Sequence, residues 1–344
     1  MVEDDLLDQE DVDLFEHYNI KVDKGQSLLR IDKFLMLRVE HASRNRIQNA
    51  IDAGNVLVNH KIIKASYRVK PADEISIVLP HPPRDVTVYP ENIPLNIIYE
   101  DADVLLVNKN AGMVVHPGFG NWSGTLVNAL AYHLNNDALP QLPGNINRPG
   151  LVHRIDKDTS GLLLISKNER AMTYLAKQFY DHTIIRKYIA LVWGDLQSDG
   201  TVSGYIGRSA KDRRVMDVYE DEEKGKWSVT HYKVLERFNY VTLIACELET
   251  GRTHQIRAHL QHLGHPLFSD ATYGGDKIRK GTVFAKYKSF VENCFELMPR
   301  QALHAKSLGF SHPTTKEKIY FETDLPDDFL SVLDKWRNYI AYVG

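Results

Sequence analysis

Three prolines within residues 80–83 constrain this chain more than any other feature of its sequence. Proline fixes its own φ angle and lacks a backbone N–H, so such a run continues neither a helix nor a central strand. A chain of 344 residues is also long enough for two domains. We therefore predict a linker over residues 81–92, with a smaller domain over residues 27–80 and a larger one over residues 93–344.

The charge of the chain is distributed unevenly. Its formal net charge is −3, which by itself argues against a nucleic-acid partner. Residues 1–20 carry eight acidic and no basic side chains, and without them 42 basic residues stand against 37 acidic ones. We expect residues 1–26 to form a disordered, solvated acidic tail. Residues 21–80 hold eleven basic and six acidic residues, a balance that favours contact with phosphates.

The sequence disfavours several other classes of protein. Its apolar runs are short, which predicts no membrane span, and its acidic N-terminus does not have the pattern of a secretory signal. Cys246 and Cys294 are far apart, which indicates a reducing cytoplasm and neither a disulfide framework nor a cysteine-ligated zinc site. His259 and His262 are three residues apart, but no zinc-binding pattern is completed around them. Without a phosphate-binding loop or dinucleotide fingerprint, we expect no metal and no nucleotide cofactor.

The smaller domain is predicted to carry two short helices followed by a small sheet. The predicted helices cover residues 31–39 and 44–53, with Ser43 as N-cap and Gly54 after the second helix, and the strands cover residues 55–59 and 74–79. The second helix bears Arg44 and Arg46, which we expect to bind RNA phosphates. A solvated helix face that merely carries these charges is the alternative.

The larger domain is predicted to be α+β, with a mixed and largely antiparallel sheet. Its strands are long and consecutive and few helices cross between them, which favours this class. The predicted strands cover residues 104–108, 162–167, 184–193, 228–237 and 241–249, and the predicted helices cover residues 125–134, 169–180 and 254–263, with a last helix starting near residue 326.

Three polar segments are candidates for chemistry. Asp156 stands in a polar turn just before an apolar strand, where a carboxylate is held rigidly and is partly desolvated. Arg257 lies on the predicted helix 254–263, on a different face from the apolar Ile256, and there it could keep a carboxylate ionised. Tyr188 follows two basic residues, an arrangement that suits a flipped base near phosphates. Taken singly, each segment is more simply a turn, a solvated helix face or a core tyrosine.

The smaller domain resembles the S-four type (alpha-L) RNA-binding domain. The matching residues are Arg30, 32–35, 43–46, Ile51, 54–59 and Asp73. His60 stands where the family commonly has glycine, a departure confined to a turn.

The whole chain, over roughly residues 28–335, resembles the RluA-type family of RNA pseudouridine synthases, in particular its group with an attached S-four type domain. The signature segments are residues 153–156 with 159–161, and residues 251–257. Further matches are residues 115–118, 265–267, Asp270, 273–275 and 301–305. Ile155 stands where leucine is commoner, a change that conserves volume.

The resemblance implies a catalytic set. Asp156 is the expected essential carboxylate, and it either attacks the anomeric carbon or takes the 2′ proton of the sugar, a choice that stays open. Arg257 is the expected salt-bridge partner of this carboxylate. Tyr188 is expected to stack on the uracil and to assist proton removal from carbon 5. The isomerisation is redox-neutral and hydrolyses nothing, so the resemblance implies no cofactor.

The resemblance also implies contacts with a flipped nucleotide. A uridine must leave its stack to be reached, and Arg154 is expected to fill the gap that it leaves. Lys187, Arg252 and His254 are the other residues of these segments that we expect to bind RNA.

Several alternatives remain at this stage. The expected substrate is large-subunit ribosomal RNA, and transfer RNA is the alternative. A non-catalytic RNA-binding or ribosome-assembly protein is a rival from another class, although the complete set of Asp156, Tyr188 and Arg257 argues against it. A histidine-dependent metallohydrolase is a third reading. We expect a cytoplasmic monomer.

Overall fold

The computed structural model describes residues 15–39, 44–79, 88–118, 121–135, 139–140, 149–212, 214–282 and 284–343. The chain forms two compact units, Met1–Val86 and Thr87–Gly344. Within the described ranges, every helix is too short or too polar to cross a membrane.

The first unit contains small antiparallel sheets and two helices. Its elements are β1 (Phe15–Lys21), β2 (Leu29–Arg30), α1 (Ile31–Met36), α2 (Arg44–Asp52), β3 (Val56–Val58), β4 (Lys61–Ile62), β5 (Arg68–Val69) and β6 (Glu74–Leu79). The four-stranded sheet has the order β1-β6-β3-β4, and β2 pairs with β5. Phe34 of α1 and Ile51 of α2 pack on Ile75 of β6 in one core. The predicted helices and strands of this unit are present, although α1 ends at Met36 and not at residue 39, and β3 is one residue shorter at each end than predicted. Gly54 adopts the left-handed φ of +74° expected after α2.

The predicted acidic tail is too long. Residues 15–21 are strand β1, which pairs antiparallel with β6 so that Ile20 lies opposite Ile75. Seven of the eight acidic residues within positions 1–20 precede this strand, and they obscure a short strand whose continuation buries Val22 in the core. The rest of the predicted tail, residues 1–14, and the predicted N-cap Ser43 lie outside the described residues.

The second unit is built on one large sheet flanked by helices. Its elements are β7 (Ile97–Glu100), β8 (Val104–Lys109), α3 (Leu126–His133), β9 (Ser160–Ser166), α4 (Glu169–Tyr180), β10 (Ile185–Trp193), β11 (Gly200–Arg208), β12 (Met216–Tyr219), a 3₁₀ turn (Glu222–Lys224), β13 (Lys226–Arg237), β14 (Val241–Leu248), α5 (Gln255–His262), α6 (Ala285–Leu297), β15 (Leu303–Ser311), β16 (Lys318–Glu322) and α7 (Asp327–Val343).

The large sheet has the order β12-β11-β13-β14-β10-β15-β9-β8-β7, and β16 adds to β15. Within the described strands, β9 and β15 form the one parallel pair and all the others are antiparallel. The predicted α+β class with a mixed, largely antiparallel sheet is confirmed. The two sheet faces bury separate cores, because β10 alternates between them. Tyr188, Ala190 and Val192 belong to one core, whereas Leu191 and Trp193 belong to the other.

Candidate active site

The loop that carries Asp156 is anchored on both sides of the carboxylate. Ile155 is buried in the core beneath the sheet, and Thr159 closes a turn by donating its N–H to the Asp156 carbonyl at 3.2 Å. Gly161 follows with φ +112°, and its Cα packs directly on the backbone of Ala305 in β15, so no side chain fits there. The Asp156 side chain itself remains 25% exposed. The loop therefore holds one carboxylate in place while leaving it accessible.

Lys109 braces this loop from inside the protein. Its ammonium is buried and donates to three backbone carbonyls, those of Asn110 at 2.8 Å, Met113 at 2.9 Å and Lys157 at 2.8 Å. Burial lowers the pKa of Lys109 to about 7, although the negative charges of the loop oppose this. The three N–H groups match the three carbonyls, so this lysine fixes the backbone next to Asp156. No motif in the sequence indicates this role for Lys109.

Arg257 of α5 joins two carboxylates. Its Nη1 donates to Asp156 Oδ2 at 2.9 Å, while its Nε and Nη2 donate to the two oxygens of Asp270 at 2.7 and 2.9 Å. Burial alone would lower the pKa of Arg257, yet its hydrogen bonds and charge pairing with Asp270 and Asp156 raise it above the usual range. The structure thus brings Asp156 and Arg257 together, as the sequence predicted.

Asp270 is the part of this arrangement that sequence reasoning missed. Its side chain is fully buried and also accepts backbone N–H bonds from Thr272 at 3.1 Å and Tyr273 at 3.2 Å. These bonds hold the bidentate pair with Arg257 in a single orientation. The available signal is the family-like stretch that begins at Asp270, although the resemblance alone assigns this residue no role.

His254 lies just before α5 with a left-handed φ of +54°. Its Nδ1 is 3.0 Å from the Tyr273 hydroxyl, and its Nε2 is 3.9 Å from Asp156 Oδ1. Burial raises the pKa of Tyr273 to about 12, and its oxygen also accepts the N–H of Met216. In the neutral form of His254, one ring nitrogen carries the proton and the other is an acceptor. Burial lowers the pKa of His254, which favours this neutral form, although Asp156 opposes the shift.

Tyr188 lies on β10 between Cys246 of β14 and Ala305 of β15. It is buried in the same core as Ile155 and Ile256, which flank the two charged partners in the chain. Burial raises the pKa of the Tyr188 phenol; the charge of Asp156 adds to this effect, while that of Arg186 opposes it. The phenol is therefore protonated at neutral pH.

The predicted RNA-binding residues divide into two groups. Arg154 donates to Thr253 Oγ1 at 3.0 Å and Arg252 donates to the Trp227 carbonyl at 3.2 Å, and both arginines are exposed. With His254, they lie on the two segments that meet at Asp156 and Arg257. The structure does not bring Lys187 to this group, because its strand neighbours Tyr188 and Arg186 are buried while its own side chain is exposed, 4.0 Å from Glu247.

Arg44 belongs to the first unit and is half exposed there. Its guanidinium donates to the buried Asp32 at 3.1 Å, as does that of Arg30. The two arginines hold the pKa of Asp32 well below its usual range, with Arg30 making the larger contribution. The side chain of Arg46 lies outside the described part of the structure.

The histidines near α5 serve as hydrogen-bonding groups. His259 is buried between Ser228 and Thr230, 3.2 and 2.9 Å from their hydroxyls, and His265 Nδ1 is 2.7 Å from the Trp193 carbonyl. Among the described residues, no three histidine, cysteine or acidic side chains come together as metal ligands.

Comparisons with known proteins agree on one family. A model described as RNA pseudouridylate synthase matches residues 103–262, and a model of the S4 domain matches residues 29–75. A protein of Chlorobaculum parvum described as an uncharacterized RNA pseudouridine synthase is 48% identical over 320 residues, which are 92% of this chain and 97% of that relative. The ribosomal large subunit pseudouridine synthase D of Nitrosomonas europaea is 41% identical over 310 residues, 90% and 85% of the two chains.

A solved structure shares the fold. The structure titled human RNA pseudouridylate synthase domain containing 4 superposes with a TM-score of 0.54 and 23% identity, covering 70% of this chain and 93% of that chain.

Proposed function

This chain belongs to the RluA-type family of RNA pseudouridine synthases, and from that premise we propose that it modifies large-subunit ribosomal RNA with Asp156 as its catalytic carboxylate. Its substrate is RNA, and its reaction is the isomerisation of uridine to pseudouridine. The bond between N1 of uracil and C1′ of ribose breaks, the base rotates, and C5 bonds to C1′. C5 loses its proton and N1 gains one, so the atoms balance without an oxidant, a reductant or water.

The observation that carries the proposal is the chain of ion pairs from Asp156 through Arg257 to Asp270. Arg257 orients the Asp156 carboxylate through a charge-assisted hydrogen bond, and Asp270 prevents the guanidinium from following Asp156 as it reacts. One oxygen of Asp156, Oδ2, accepts from Arg257, while Oδ1 is 3.9 Å from the nearest histidine nitrogen. The free oxygen can therefore attack C1′ or take the 2′ proton, and both routes remain open.

Tyr188 supports the same site by stacking. Its ring belongs to the same buried core as Ile155, the residue that precedes Asp156, and its raised pKa keeps the hydroxyl protonated at neutral pH. A protonated phenol is a weak base, which favours a stacking role on the uracil over a leading role in removing the C5 proton. Arg154 is an exposed cation two residues before Asp156 that donates to Thr253 Oγ1 at 3.0 Å, a position that suits insertion into the gap left by the flipped uridine.

The choice of large-subunit ribosomal RNA rests on the relatives. Several are named ribosomal large subunit pseudouridine synthase D, including those of Nitrosomonas europaea and Zymomonas mobilis, and they match about nine-tenths of this chain. We place the protein in the cytoplasm, where its buried free cysteines stay reduced, and expect it to act as a monomer. Transfer RNA remains the alternative substrate.

The test compares wild type with Asp156→Asn and Asp156→Ala on ribosomal and transfer RNA transcripts, with pseudouridine mapped as carbodiimide-dependent reverse-transcription stops. Asp158→Asn is the matched control, because it makes the same change in the same loop two residues from the ion pair. We expect new stops in large-subunit RNA with wild type and the control, and none with either Asp156 variant. Stops confined to transfer RNA would show that transfer RNA, and not large-subunit ribosomal RNA, is the substrate. Activity in Asp156→Ala would refute the mechanism.

A further inference from the structure

Arg186 is a buried cation that has no counter-ion among the described residues. It lies on β10 two residues before Tyr188 and is only 7% exposed. Its Nε is fully buried with no hydrogen-bond partner, and within the described ranges its guanidinium makes no ion pair. Two further arginines that the structure shows as buried behave differently, since Arg257 has a bidentate bond to Asp270 and Arg300 has one to Asp328 at 2.6 and 2.9 Å.

The surroundings of Arg186 do not compensate its charge. Its guanidinium carbon lies 5.4 Å from the centre of the Phe179 ring, and Phe179 in turn stacks on His153 at 4.6 Å. Burial, with a smaller effect from Arg186, lowers the pKa of His153 to about 3, so this histidine is neutral. A buried, unpaired charge is costly to a folded protein, and an aromatic ring repays only part of that cost.

The position of Arg186 joins it to the active site. Side chains two apart on a strand share a face, so Arg186 lies on the same face as Tyr188 and next to it. On its other side, a Cβ at Gly251 would lie only 2.6 Å from Arg186 Nη1, so the absence of a side chain leaves room for the guanidinium. Gly251 immediately precedes Arg252, Thr253 and His254. Arg186 thus lies between the tyrosine and the loop that leads to the catalytic arginine.

We propose that Arg186 binds a backbone phosphate of the RNA strand beside the flipped uridine. The inference rests on the proposed function and deepens it, because it names the group of the substrate that this residue recognises. A planar guanidinium with unused donors matches two phosphate oxygens, and RNA supplies one such anion per nucleotide. The phosphate takes the place of the missing counter-ion and fixes the strand relative to Tyr188. Arg186 is a positioning residue, because it holds the substrate and not the reacting atoms.

The first arm of the test measures the thermal stability of the full-length protein without RNA. Arg186→Met keeps the length of the side chain and removes an unpaired charge, so Tm should stay level or rise. Arg257→Met is the contrasting variant, because it breaks two ion pairs and should lower Tm. A clear loss of Tm in Arg186→Met would mean that the guanidinium serves the fold, and the proposal would be overturned.

The second arm measures RNA affinity with single methylphosphonate linkages placed one at a time around the mapped uridine. At one linkage, wild type should lose about tenfold to a hundredfold in affinity, the range for one charge-assisted hydrogen bond. Arg186→Met should bind unmodified RNA with a similar loss, lose nothing further at that linkage, and show a salt dependence shallower by about one phosphate contact. Arg337→Met is the control, since Glu236 and Asp334 already pair with Arg337 at 2.8 and 3.0 Å.

The outcomes separate this inference from the proposed function. If wild type forms pseudouridine but no linkage distinguishes it from Arg186→Met, only the phosphate contact is wrong. If wild type forms no pseudouridine, the proposed function fails, and the same linkage scan on oligouridylate then decides the phosphate contact. Added inorganic phosphate tests whether Arg186 binds a free phosphate ion instead of an RNA phosphate. If phosphate raises the Tm of wild type but not of Arg186→Met, and the linkage scan shows no effect, the RNA contact is refuted.

Discussion

Asp270→Asn should damage both the stability and the activity of this enzyme. The substitution keeps the shape of a fully buried side chain but removes the charge that pairs with Arg257 at 2.7 and 2.9 Å. Breaking a buried ion pair by neutralising one partner costs about 3–5 kcal/mol. For a unit of this size, each kcal/mol lowers Tm by roughly 2–4 °C, so we expect a loss of roughly 6–20 °C. With its anchor gone, Arg257 can shift relative to Asp156, and misplacement by about 1 Å can cost about a hundredfold in rate.

The matched control is Asp195→Asn. Asp195 also makes a bidentate pair, with both oxygens 2.6 Å from Arg237, but the two side chains are partly exposed to water. Water screens such a pair, so this variant should unfold close to wild type and retain full activity. Thermal unfolding and single-turnover pseudouridine formation are measured on all three proteins. Equal losses of Tm in the two variants would refute the reasoning that burial makes the Asp270 pair important.

Two further predictions concern stability. Burial lowers the pKa of His259 to about 4, so between about pH 6.5 and pH 4 the unfolded chain binds a proton at this residue that the folded chain does not bind. The free energy of unfolding should therefore be unaffected by His259 above about pH 6.5. It should fall by at most about 3 kcal/mol as the pH drops towards 4. Denaturant unfolding at several pH values should show that the free energy of unfolding of His259→Gln depends less on pH than that of wild type. An equal pH dependence in the two proteins would show that His259 is not the cause. Gly161→Ala should lower Tm strongly and abolish pseudouridine formation, because φ is +112° and the added Cβ collides with the Ala305 backbone. A Gly161→Ala protein with wild-type Tm would show that the close packing of β9 on β15 is not required.

The sequence predicted those parts of the site that depend on contiguous motifs. Asp156 and Arg257 each stand in a segment that resembles a family signature, and the structure joins them at 2.9 Å. Asp270 was harder to assign, because a carboxylate in a turn has many possible roles until its distance to an arginine is known. Lys109 donates to three backbone carbonyls, and any residue type can supply a backbone carbonyl, so no side-chain pattern in the sequence predicts these contacts.

The remaining differences between the predicted and the observed structure arise from backbone geometry. The sequence favoured Lys187 as the RNA contact of its segment, but one step along a strand reverses the face, and the structure buries Arg186 beside Tyr188 instead. Short edge strands such as β1 are equally hard to predict, because their hydrogen bonds come from a partner more than fifty residues away. The helix α5 begins one residue later than predicted, since His254 has a left-handed conformation that propensity alone does not reveal.

The central claim is that the Asp156 carboxylate performs the isomerisation. Its most direct test is the single-turnover rate of pseudouridine formation by Asp156→Asn, with enzyme in excess over a transcript that wild type modifies, alongside RNA affinity measured on the same preparation. The account predicts RNA binding close to wild type and no product above the enzyme-free control. Product formation at a rate close to that of wild type would contradict it.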